Sequence, residues 1–74
     1  MTSERLNNTM KFHRVGKGMT QAQLAERAGV TRKTINSVEN GVFVPSTVLA
    51  LKVARALGTP VEALFSLPEE QVGQ

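Results

Sequence analysis

Four polar side chains share one face of a short predicted helix: Arg32, Lys33, Asn36 and Ser37. The helix is predicted because Ile35 and Val38, at i, i+3 spacing, form its apolar side. Guanidinium, ammonium, amide and hydroxyl groups donate hydrogen bonds in an exposed position, so this face is suited to recognising a polar or anionic ligand. The alternative is a solvated face of the kind that any surface helix needs.

A catalytic site is not indicated by the remaining polar residues. His13 is the single histidine, it has no partner at metal-ligand spacing, and there is no cysteine. No two of the six glutamates fall together in a predicted pocket, and a chain this short has little volume for one. The glycines do not form a phosphate-binding loop. We therefore expect no enzyme, no catalytic residue, no metal and no cofactor.

Size and composition predict one small domain. The 74 residues are 41% hydrophobic, and nine Lys/Arg against six Asp/Glu give a formal charge of +3, which only weakly favours a polyanionic partner. The longest apolar run, Val48 to Leu51, is far shorter than a membrane span of roughly 20 residues. We expect a cytoplasmic protein without membrane contact. A core this small is often completed by a partner subunit.

Capping residues predict an all-α fold. The five expected helices run from Asn7 or Asn8 to about Val15, Thr20 to Gly29, Thr31 to about Glu39, Ser46 to Gly58, and onward from Thr59 and Pro60. Residues 2–5 and 65–67 could add a short terminal β-ribbon. The domain boundaries that follow are an N-terminal arm at 1–7, a domain at 8–67 and a flexible tail at 68–74.

The second and third predicted helices meet the requirements of a helix-turn-helix motif. Ala25 is small where the two axes approach, and Gly29 tolerates a positive φ at the turn. Apolar residues occupy the positions that bind the pair to the rest of the domain: Leu24, Ala28, Val30, Ile35 and Val38. The alternative is an ordinary helical hairpin within a bundle.

These segments resemble the Xre (Cro and phage-repressor) helix-turn-helix family in its small, single-domain form. The resemblance lies in MTQAQLAERAGVTRKTINSVENG, then VPS, then LALKVARALGTPVEALF, and covers roughly residues 8–67. It implies a compact five-helix, lambda-repressor-like domain, a homodimer and binding to double-stranded operator DNA. The expected function is a repressor that binds a palindrome with helix 31–40 in the major groove, without a small-molecule ligand.

The resemblance also assigns roles to single positions. Base-reading positions of the family correspond to Thr31, Arg32, Lys33 and Ser37, and Asn36 is a further candidate for adenine or for the backbone. Phosphate contacts correspond to Gln21, which also braces the third helix, and to Asn40, while Lys17 and Arg5 could add charge. Arg14 and Glu39 match a pair of charges that binds within the fold, although two independent surface charges are the alternative.

The chain departs from the family after the third helix. Many relatives have Lys or Arg where this chain has Val42, so one phosphate contact is expected to be missing. Val42, Phe43 and Val44 form an apolar run in a connection that should be exposed. His13 stands where relatives usually have an aliphatic residue, which puts the packing of the first helix in doubt.

Apolar residues that the helix-turn-helix leaves over predict the dimer surface: Leu51, Leu64, Phe65 and Leu67, with the N-terminal arm. Plain core packing of Phe65 and Leu67 is the alternative. A second functional hypothesis is a protein-interaction module, such as the antitoxin of a toxin–antitoxin pair, for which Val42, Phe43 and the acidic tail would serve as contacts.

Overall fold

The computed structural model describes residues 6–68. This part of the chain contains five α-helices, with one very short strand before the first helix and another after the last. In chain order the elements are β1 (Asn7–Asn8), α1 (Met10–Gly16), α2 (Gln21–Ala28), α3 (Arg32–Glu39), α4 (Thr47–Leu57), α5 (Val61–Leu64) and β2 (Phe65–Ser66). The predicted five-helix architecture with a terminal ribbon is confirmed. Within this range no helix is long and apolar enough to cross a membrane.

Local capping explains where α2 begins and ends. The Thr20 hydroxyl accepts a hydrogen bond from the Gln23 amide at 3.0 Å, and the Gln23 side chain accepts one from the Thr20 amide at 2.8 Å. Gly29 then adopts φ 74°, and the Val30 amide returns to the Ala25 carbonyl at 2.9 Å. The left-handed residue and this 6→1 bond end the helix, as in a Schellman motif. The chain is thereby turned directly into α3.

The hydrophobic core joins all five helices. Its members come from all five helices: Met10, Leu24, Ala25, Ala28, Ile35, Val38, Leu49, Val53, Ala54, Leu57 and Leu64. The inward residues predicted for the helix-turn-helix lie in this cluster, except that Val30 packs against it half-buried. Burial of each Leu or Ile side chain contributes about 1.5–3 kcal/mol, so this cluster fixes α3 against the rest of the domain.

The first helix begins later than predicted, because Asn7 and Asn8 form a strand. Asn8 pairs with Phe65 and Asn7 with Ser66 in an antiparallel ribbon. Thr9 is the N-cap of α1 but makes no side-chain capping bond, since its hydroxyl donates to the Ala63 carbonyl at 2.8 Å. The ribbon's second strand was therefore predicted correctly and its first was not. Residues 2–5, the predicted partner, lie outside the described range, as do residues 69–74.

Helix α5 is not capped by Thr59, from which its start was predicted. Pro60, not Thr59, is the N-cap of Val61–Leu64, and it makes no side-chain capping bond. The Thr59 hydroxyl instead donates to the Leu57 carbonyl at 3.2 Å, closing the end of α4. A single helical turn is consequently held by packing of Leu64, which is 1% exposed, rather than by its cap.

Candidate nucleic-acid interface

Helix α3 presents a polar face to solvent. Ile35 and Val38 are buried beneath it, and Thr31 caps its first turn by accepting from the Thr34 amide at 3.2 Å. The predicted contact residues on this face are exposed or half-buried: Thr31, Arg32, Lys33, Asn36, Ser37 and Asn40. A helix of eight residues is about 12 Å long, so these side chains form one compact surface.

A buried carboxylate anchors the far end of this surface. Arg14 donates to Glu39 twice, from Nε to Oε2 at 2.6 Å and from Nη2 to Oε1 at 3.2 Å. The third Arg14 bond goes from Nη1 to the Met19 carbonyl at 2.8 Å. The Glu39 side chain is 2% exposed and that of Arg14 10% exposed. The ion pair expected from the resemblance is therefore present, and it binds α1 to the end of α3.

Gln21 connects that ion pair to the exposed face. Its amide nitrogen donates to Glu39 Oε1 at 3.1 Å and to Asn36 Oδ1 at 3.2 Å. Its amide oxygen accepts from Arg32 Nη1 at 3.3 Å, and Asn40 Nδ2 donates to the same Asn36 oxygen at 3.2 Å. Sequence reasoning expected Gln21 to brace α3 but did not identify this chain of bonds, because none of its long-range partners is visible as a local spacing.

Lys17 lies apart from the other predicted contact residues, and Arg5 lies outside the described range. Lys17 is exposed at the end of α1, and its ammonium nitrogen is 3.6 Å from the position that a Cβ on Gly58 would occupy. It lines a different cleft, together with Arg27 and Arg55. The structure therefore groups Lys17 with the ends of α1, α2 and α4, rather than with the polar face of α3.

One of the four residues predicted to form the dimer surface, Leu64, was assigned to it wrongly. It is enclosed by its own core at 1% exposure, so it has no surface to offer a partner. Leu51 and Leu67 are exposed, and Phe65 is half-buried. Leu51 and Phe65 line one groove with Leu6 and several residues of the 44–50 segment. Leu6 was missed by sequence reasoning except as part of the arm, because its neighbours depend on the ribbon.

The family of the chain follows from its sequence matches. The helix-turn-helix family model HTH_3 matches residues 10–64, which is most of the chain and spans all five helices. This chain belongs to the helix-turn-helix family. An HTH-type transcriptional regulator of Methanothermobacter thermautotrophicus is 46% identical over 66 residues, covering 88% of this chain and 96% of the relative. YgzD, an HTH-type transcriptional regulator of Bacillus subtilis, is 42% identical over 65 residues, covering 88% and 98%.

Solved structures of helix-turn-helix proteins share the fold. The restriction-modification controller protein C.AhdI from Aeromonas hydrophila superposes with a TM-score of 0.73 at 36% identity, covering 76% of this chain and 85% of that chain. The predicted family and the absence of an enzymatic role are thus confirmed, since the members of this family are transcriptional regulators. The protein is a DNA-binding helix-turn-helix transcriptional regulator.

Proposed function

We propose that this regulator is a homodimeric repressor that binds a palindromic operator with α3 in the major groove. The observation that carries the proposal is the exposed polar face of α3, which is held against the domain by bonds from Gln21 and, through it, from the buried Glu39. A surface of side chains that is fixed before binding loses less conformational freedom on association. Fixed donors can therefore discriminate between bases.

The chemistry of this face fits base edges and phosphates. Arg32 or Lys33 can give two hydrogen bonds to O6 and N7 of guanine, and Asn36 can pair in the same way with adenine. Gln21 is the first residue of α2, where backbone N–H groups without intrahelical partners attract a phosphate. Asn40, at the other end of α3, can donate to a second phosphate. We therefore expect operator half-sites that contain guanine.

Dimerisation would align two such faces. One module reads only a few base pairs, whereas two modules on a two-fold axis read half-sites about 34 Å apart. The interface must avoid α3, and the exposed Leu51 and Leu67 with the half-buried Phe65 lie outside it. Occupation of promoter DNA blocks transcription without any chemistry, and an all-α domain of this kind needs no cofactor for it. A regulator that binds chromosomal DNA in a bacterium or an archaeon would work in the cytoplasm.

Selection from a random duplex pool, at physiological salt, tests the proposal directly. We expect the enriched sequences to share a two-fold symmetric motif with guanine in each half-site, the half-sites being one helical turn apart. An enriched but asymmetric motif would overturn the homodimer while leaving sequence-specific binding. If folded protein enriches no motif, specific DNA reading by this chain alone is wrong, and the exposed Phe43 then favours a protein-interaction module such as an antitoxin.

Substitution of Leu51 by Asp tests the dimer surface. An unpaired carboxylate buried in an apolar interface costs several kcal/mol, so the dimer dissociation constant in sedimentation equilibrium should rise by at least tenfold. Leu51 is 53% exposed in the protomer, which means that the fold should tolerate the change. The matched control is Val15→Asp, at a residue 57% exposed on α1. Dissociation by the Val15 variant alone would move the interface to α1.

A further inference from the structure

An exposed apolar segment, Val42–Val44, directly follows the polar face of α3. Val42 is 79% exposed, Phe43 48% and Val44 60%. Single exposed apolar residues are common on protein surfaces, but a contiguous apolar patch next to polar residues is typical of an interaction site.

Backbone hydrogen bonds fix the segment to α3. The amides of Val42 and Phe43 both donate to the Ser37 carbonyl, at 2.9 and 3.2 Å. Gly41 makes the turn that allows this, with φ 75° and its own amide bonded to the Val38 carbonyl at 3.0 Å. The backbone at Val42 is therefore held against the end of α3 by these bonds.

A shallow cleft of about 290 Å³ lies between this segment and α3. One wall consists of Val42 and Phe43, and the other of Lys33, Thr34 and Ser37. Lys33 and Ser37 also belong to the polar face described above, so the cleft is continuous with the surface that we propose to read DNA. Val44, although equally apolar, does not line this cleft and lies beside Pro45 and Leu6 instead.

We propose that this cleft seats the 5-methyl group of a pyrimidine in the major groove, with Val42 as the residue that determines preference for it. The inference rests on the proposed operator binding by α3. The methyl group of thymine projects into the major groove, where apolar side chains distinguish it from cytosine. A 5-methylcytosine presents the same group. Lys33 is the one charged residue among those that line the cleft, and its positive charge favours DNA as the occupant.

Deoxyuridine substitution isolates this methyl group, because uracil keeps every hydrogen-bonding group of thymine. Each thymine of the selected operator is replaced in turn, symmetrically in both half-sites, and the dissociation constant is measured by fluorescence anisotropy. Burial of one methyl group corresponds to about a fourfold change in affinity. At one position we expect wild-type protein to lose about fourfold per half-site, and Val42→Ala, which keeps only the β-carbon, to lose clearly less on the same replacement.

Val15→Ala is the matched control, since it removes the same atoms from a valine that is 57% exposed on α1, outside both this cleft and the groove of Leu51 and Phe65. It should respond to deoxyuridine as the wild type does. Where the selected base at that position is cytosine, 5-methylcytosine should instead tighten binding of the wild type clearly more than that of Val42→Ala.

Two results overturn the inference, and they are distinguishable. If an operator is selected but no methyl removal or addition affects the wild type and Val42→Ala differently, the methyl contact is wrong and operator binding stands. If no operator is selected, the proposed function fails, and the methyl contact fails with it.

Discussion

Replacing Glu39 by Ala should destabilise the protein by about 3–5 kcal/mol, the usual cost of removing one partner from a buried ion pair. The cost arises because the Arg14 guanidinium would remain largely buried, with the Met19 carbonyl as its only other partner among the described residues. The total stability of a domain of this size is only about 4–11 kcal/mol. Urea denaturation at one fixed protein concentration measures the change, since dimerisation makes the apparent stability depend on concentration.

Glu26→Ala is the matched control for this prediction. Glu26 is an exposed glutamate on α2, so its removal should change the free energy of unfolding by no more than about 0.5 kcal/mol. Replacing Arg14 by Met and Glu39 by Leu together should recover much of the loss, because an apolar pair leaves no uncompensated charge. A loss below about 1 kcal/mol for Glu39→Ala would show that solvent reaches Arg14 and that the pair does not hold α1 to α3.

The helix-turn-helix could be predicted because its determinants are local. The capping box joins Thr20 to a residue three positions away, and Gly29 needs only its own positive φ. Apolar spacing along α3 identifies Ile35 as inward whatever it packs against. Wherever a bond or a contact is made within one turn of helix, the order of residues is enough to predict it.

The errors occur where distant residues compete for the same polar group. Asn8 looks like a helix cap in sequence, and its Oδ1 accepts from the Met10 amide at 3.4 Å. Its Nδ2 also donates to the Val38 carbonyl, 30 positions away, at 3.1 Å, and its backbone pairs with Phe65 in the ribbon. Thr9 makes its hydroxyl bond to the Ala63 carbonyl, 54 positions away. Leu64 was assigned to the dimer surface although the apolar spacing of α5 also predicts that it faces inward, and the structure buries it at 1% exposure.

The candidate site combines both situations. The polar face of α3 follows from helical spacing, so its members could be named from the sequence. The arrangement of that face depends on Gln21, which contacts Asn36 and Glu39 from 15 and 18 positions away. A single residue at the start of α2 thus couples the stability of the core to the placement of Arg32 and Asn36. Release of Gln21 should consequently weaken DNA reading even where the fold survives.

Replacing Arg32 by Ala should weaken operator binding by about 1–3 kcal/mol per half-site and remove the preference for one base pair. Arg32 is exposed on the first turn of α3, and its guanidinium is directed by the bond to Gln21 at 3.3 Å. A guanidinium can donate two parallel bonds to guanine, whereas an ammonium is a point charge, so Arg32→Lys should restore less than the full affinity. Anisotropy titrations against the operator and against single-base variants measure both effects.

Arg27→Ala separates base reading from charge. It removes the same charge from an exposed residue of α2 that lines the cleft with Lys17 and Arg55, away from the face of α3. A side chain that neutralises one phosphate contributes about 0.9 to the slope of log affinity against log salt, and this contribution does not depend on the DNA sequence. Arg32→Ala should lower affinity most for the operator and little for unrelated duplex, because base contacts contribute only at the correct sequence. An equal loss of affinity on both duplexes would instead assign Arg32 to phosphate, and the guanine in each half-site would then be read by Lys33.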